Sequence, residues 1–91
     1  MTKWLQSGLR RDICIAVAGL DDPTGRAVKR EVEKKYEETV RPKTFVGAMN
    51  ALVDDGFLDR EPDGIHERYA LTPAGRERLD EQFAWTRDRV A

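Results

Sequence analysis

Apolar positions recur at helical spacing in four stretches of the chain, with one alternating stretch between the third and fourth. Leu9, Ile13, Ala16, Val17 and Leu20 follow steps of three and four, which predicts a helix over residues 2–20 with Thr2 or Ser7 as its cap. Cys14 and Ile15 fall off that stripe, so this helix is apolar around most of its circumference. One side can pack on the core, and the other needs a second cover, either a C-terminal helix or a partner subunit. Asp21-Asp22-Pro23-Thr24-Gly25 is a break with the chemistry of a new helix start. The second helix runs to about Glu38. Val28, Val32 and Tyr36, four apart, form its buried stripe, and charged residues clothe the rest. After a turn at residues 39–42, Phe45, Ala48, Met49 and Leu52 mark a third helix over 42–55, and Gly56 suits its stop.

The period then changes. Residues 57–61 read as a strand, Pro62-Asp63-Gly64 as a turn, and 66–71 as a return strand with Tyr69 and Leu71 on one face. Thr72 followed by Pro73 opens a last helix over 73–90. Its stripe is Leu79, Phe83, Thr86 and Val90, a short heptad-like seam. Trp85 lies on the opposite side and is expected to anchor against the body. The order predicts an α+β, mostly α fold: a winged helix-turn-helix of three helices, a two-stranded hairpin wing and a C-terminal helix. We read residues 1–91 as a single domain, with its core in 7–72 and a dimerisation helix at 73–90.

Composition changes the picture in one respect. The 91 residues carry 16 Lys and Arg against 17 Asp and Glu, for a net charge of −1. A DNA binder is usually basic, so any DNA-facing surface here must be a local patch with the acids turned elsewhere. The distribution permits one: residues 1–30 hold six basic and three acidic residues, and the remainder ten basic and fourteen acidic. The acid-rich, Arg-rich mixture fits a salt-adapted cytoplasm and compositional drift equally well. A single cysteine excludes an intramolecular disulfide. No apolar run is long enough for a membrane span and no signal-peptide core is present, so a cytoplasmic protein is expected.

Three segments resemble PadR-like transcriptional regulators, in particular those common in haloarchaea. They are Ala16 to Gly25, Lys43 to Met49 with Leu52 and Gly56-Phe57-Leu58, and Glu67 to Arg76, which includes Tyr69-Ala70-Leu71-Thr72-Pro73-Ala74-Gly75. The resemblance spans about residues 9–80 and implies a winged-helix, DNA-binding regulator whose helix 42–55 is the recognition helix. The chain departs from the family at Val46, where an aromatic is usual, at Gly47, where Pro is frequent, and at Asp63, which makes the wing tip acidic.

Candidate DNA contacts follow from position and chemistry. Arg41, Lys43 and Thr44 stand at the start of the third helix, where free N–H groups and the helix dipole favour a phosphate. Gly47 allows close approach, and Asn50 can bond a base edge in the way Asn reads adenine. Thr24, Arg26 and Lys29 could hold a backbone phosphate, and the competing reading is an ordinary capped helix start. Arg60 and Arg68 lie on the wing, where the alternative is cross-strand pairing with neighbouring acids. Trp4, Leu5, Ile15, Leu79, Phe83, Thr86 and Val90 are the candidate dimer interface.

Other chemistry is sparse. His66 and Cys14 are single and do not make a metal site, so no metal and no cofactor are expected. With no Gly-rich phosphate loop and no nucleophile beside a histidine base, the chain is not expected to be an enzyme. The expected partners are double-stranded DNA and a second copy, with no membrane. The function read from sequence is a sequence-specific, dimeric repressor. The alternative is a winged helix used for protein–protein assembly without DNA. The sequence names neither the operator nor a small-molecule effector.

Overall fold

A computed structural model describes residues 8–90. The elements run α1 (Gly8–Gly19), α2 (Gly25–Tyr36), α3 (Pro42–Asp54), β1 (Leu58–Asp63), β2 (His66–Leu71) and α4 (Pro73–Val90). This is the order the sequence predicts. Thr24 caps α2 by accepting a hydrogen bond from the Ala27 N–H at 3.2 Å. The helix ends at Glu37 with φ 57°, a left-handed stop made without glycine. Pro42 opens α3, and Gly56 at φ 82° turns the chain out of it into β1.

The hairpin corrects the expected turn. The strands pair antiparallel from Leu58↔Leu71 to Asp63↔His66, so the loop is Gly64-Ile65 and Pro62 lies inside β1 opposite Glu67. In a two-residue hairpin the closing pair exchanges hydrogen bonds and the next pair does not. Pro62 therefore sits where its missing N–H removes no ladder bond. The same alternation turns the Tyr69 N–H outward, where it donates to the Pro23 carbonyl at 2.9 Å. Thr24 bridges to Arg68 beside it, so the α1–α2 connection covers the free edge of β2.

The core joins α1, α2, α3 and the base of the hairpin through Ile13, Val28, Val32, Phe45, Leu52 and Leu58. Cys14 belongs to it, and burial pushes its thiol up to about 12, so it is an inert apolar filler. Asp12 is also buried, at 5% exposure, and the charge pattern gave no sign of this. It accepts hydrogen bonds from the Tyr36 hydroxyl and from Lys35 Nζ at 3.2 Å, and Arg11 Nε lies 3.5 Å away.

α4 begins with Thr72, whose hydroxyl accepts from the Gly75 N–H at 3.0 Å and donates to the Gly56 carbonyl at 2.6 Å. Only its first turns pack down, with Gly75 buried and Leu79 half-buried against the core. Trp85 does not anchor against the body as expected. It is exposed, with the Arg89 guanidinium 4.2 Å from its ring centroid. No described helix is long and apolar enough to cross a membrane.

Candidate nucleic-acid interface

α3 divides its residues cleanly. Phe45, Ala48, Met49 and Leu52 face the core, and Lys43, Thr44, Val46, Gly47, Asn50 and Asp54 are exposed. Among the described residues, Arg60 of β1 reaches this face at Asn50, and the outward residues of α3 stay exposed. At its start Arg41 takes the cap position with no side-chain cap bond, so the N-terminal amides have no side-chain oxygen of this residue against them.

The start of α2, the outer side of α3 and the inner face of the hairpin enclose an open groove of about 460 Å³. Arg26, Lys29, Val46, Asn50 and Arg60 line it, with Glu67 and Tyr69 on the hairpin side. Four predicted residues are thus brought together: Arg26, Lys29, Asn50 and Arg60. Three of these, Lys29, Asn50 and Arg60, are already engaged. Lys29 Nζ donates to Glu33 Oε2 at 2.7 Å, and the same oxygen accepts the Val40 N–H at 2.8 Å. These bonds, that from Lys29 first, hold the Glu33 carboxyl below its usual range and fix the α2–α3 turn. Arg60 Nη1 donates to Asn50 Oδ1 at 2.7 Å, and Arg60 Nε lies 3.1 Å from Glu67 Oε2. Thr24 is half-buried and spends an oxygen lone pair on capping α2.

Arg68 is not part of this groove. It lies on the opposite hairpin face, 2.9 Å from Asp63 Oδ2, and donates to the Asp22 carbonyl at 3.0 Å. That face forms a cleft with Asp21, Asp22, Asp59, Glu61 and Asp63, so three of the wing's four acids lie on the side away from α3 and Glu67 faces it. Among the described residues no group of His, Cys, Asp or Glu is arranged to hold a metal ion.

Of the candidate dimer residues, Ile15, Leu79, Phe83 and Thr86 line a groove of about 550 Å³ between α1 and α4. Ile15 is 45% exposed and Phe83 67%. Val90 is exposed further along α4. Trp4 and Leu5 lie outside the described residues.

Sequence reasoning missed two exposed apolar residues. Val46 sits between Lys43 and Asn50 on the outer ridge of α3, and its signal was an apolar residue off the buried stripe. Ile65 is 95% exposed at the hairpin apex, where the misplaced turn concealed it.

Solved structures resemble this chain over nearly its whole length. The structure of H. salinarum RosR grown from NaBr matches at TM-score 0.87 and 26% identity, covering 93% of this chain and 78% of that one. The complex structure of hsRosR-S4 matches at TM-score 0.86 and 28% identity, covering 93% and 75%. A winged-helix DNA-binding protein from STIV covers 100% and 97% at TM-score 0.79 and 14% identity.

The fold is a winged helix.

No protein-family model matches the chain, and no curated protein matches it.

Proposed function

We propose that this winged helix is a dimeric, sequence-specific DNA-binding transcription regulator of PadR-like type, acting as a repressor by occupying its operator. The observation that carries the reading is the exposed outer face of α3, with Lys43, Thr44, Val46, Gly47 and Asn50 side by side. A helix of that width fits the major groove, and its N-terminal end brings Arg41 and Lys43 to the phosphates. Val46 offers a methyl surface to thymine. Arg26 stands at the groove edge as a backbone contact, which positions the protein and carries no sequence information. The likeness to RosR and to a DNA-binding winged helix supports the same reading.

The second copy is the natural cover for the α1–α4 face. Exposed apolar residues that meet in one groove mark an interaction surface, and Ile15 and Phe83 do so here beside the half-buried Leu79. A two-fold dimer through this face would present two α3 helices to half-sites about 34–36 Å apart.

One observation favours the alternative of a protein-assembly module. The outer wing face gathers five carboxylates around Arg68, which suits a basic partner better than a phosphate backbone. Titration of pooled genomic DNA fragments at low salt separates the two. Saturable binding with competition between fragments is expected. A folded protein with no saturable binding would favour the assembly reading.

A further inference from the structure

Asn50 and Arg60 belong to different elements, yet their side chains meet. Arg60 Nη1 on β1 is 2.7 Å from Asn50 Oδ1 on α3, and Glu67 on β2 holds the other side of the guanidinium at 3.1 Å. A guanidinium has five donors and no acceptor. The amide atom facing it must therefore be the oxygen, which fixes the orientation of an Asn head that is otherwise ambiguous. Asn50 Nδ2 then forms the other half of the head, in the groove between α3 and the hairpin. The pair offers N–H donors from Nδ2 and from the rest of the guanidinium, and its single acceptor is engaged beside a positive charge.

Resting on the reading of α3 as the DNA-reading helix, we propose that Arg60 is a positioning residue that makes Asn50 a donor-only reader, selecting guanine over adenine at one position. In the major groove guanine presents two acceptors, N7 and O6, whereas adenine presents the N7 acceptor and the N6 donor. An unrestrained Asn amide matches adenine with one donor and one acceptor. Here the N6 donor of adenine would have to share Oδ1 with a cation. Guanine meets only donors. Glu67 completes the relay by holding Arg60 against β2 and away from the phosphates, so the wing acts on base choice through α3.

The test is a substitution panel at every position of a selected binding site, read for the parent, Arg60→Ala, Glu67→Gln and Asn50→Ala. Arg60, Glu67 and Asn50 are exposed, so the variants keep the parent's melting profile. The parent is expected to favour guanine over adenine by about tenfold at one position, within the range of one good base contact. Arg60→Ala moves that preference towards adenine and leaves other positions unchanged. Glu67→Gln weakens the guanine preference, and Asn50→Ala abolishes it. The inference is overturned if Arg60→Ala leaves the preference unmoved. It is also overturned if Asn50→Ala keeps guanine while Arg60→Ala loses it without gaining adenine, because Arg60 would then be the reader itself. A parent that binds no DNA saturably overturns the DNA reading and this inference together, whereas binding with an unmoved preference overturns the inference alone.

Discussion

Tyr36 on α2 donates its hydroxyl to the buried carboxylate of Asp12 on α1, and this bond ties the two helices that carry the rest of the domain. Burial, and then the bond to Asp12, push the Tyr36 phenol up to about 12. Burial raises the Asp12 carboxyl, but the Tyr36 and Lys35 hydrogen bonds and the Lys35 and Arg11 charges outweigh it and leave it below its ordinary value. Lys35 is exposed and Arg11 more than a third exposed, so their share is screened and small. The hydroxyl bond is the main contribution.

The sign for pH follows. Unfolded, Tyr36 titrates near 10 and Cys14 near 9, and both rise to about 12 in the fold. The folded state binds more protons across that window, so stability falls as pH rises from 9 towards 12. Asp12 acts at the other end: its contribution is present above the ordinary carboxylate range and is lost as pH falls through its lowered value. Urea melts of Tyr36→Phe should show a loss of about 1.5 kcal/mol at pH 7, the scale of a hydrogen bond to a charged group. The alkaline decline should be shallower than the parent's. An unchanged decline would mean that Tyr36 does not carry it.

Gly75 is required by packing. A β-carbon there would collide with the Phe57 carbonyl oxygen, which is backbone and cannot move aside. That carbonyl also accepts the Thr72 N–H at 3.1 Å and so closes the hairpin base onto α4. Gly75→Ala should destabilise by about 3 kcal/mol, the upper end of overpacking. A thermal melt matching the parent would show that the α4 start is looser than described.

Gly47 is the contrasting case, because a β-carbon there meets nothing within 4 Å. Gly47→Ala should raise stability by about 0.5–1 kcal/mol through helix propensity. It should also weaken DNA binding, because the added methyl stands on the face that approaches the groove. Stabilisation with unchanged DNA affinity would show that α3 does not come that close at this point.

Phe83 tests the pairing surface. It is exposed in the monomer, so Phe83→Glu should leave the fold intact. A two-fold interface would feel the change twice, once in each copy, at about 2 kcal/mol or more per buried aromatic. Sedimentation is expected to give a dimer for the parent and a monomer for the variant. Equal masses for both would place the interface elsewhere or remove it.

The sequence made the elements legible because each has local chemistry: Thr24 and Thr72 as caps, Gly56 as a stop, and the Phe45–Leu52 stripe at helical spacing. It misled where that chemistry was ambiguous. Pro62 reads as a turn residue, and only the strand register reveals that it falls at a pair exchanging no hydrogen bonds. Asp12 reads as one more surface charge, because its partners Lys35 and Tyr36 are more than twenty residues away. For the site, the outward set of α3 follows from 100° per residue. What could not be read was which side chains are already engaged. Arg60 on Asn50 depends on how α3 and the hairpin are placed, and Arg68 on Asp63 on how the hairpin closes, whereas Lys29 on Glu33 is an i,i+4 pair that helical spacing alone allows.

The central claim is that the outer face of α3 reads DNA. It is tested most directly by measuring the affinity of the parent, Lys43→Ala and Asn50→Ala for a selected site and for unrelated DNA across a salt series. We expect Lys43→Ala to weaken all sequences alike and to reduce the salt slope by about one. Asn50→Ala should cost about 1–3 kcal/mol at one base position and leave unrelated DNA unaffected. If both variants bind every sequence with the parent's affinity and slope, α3 is not the reader.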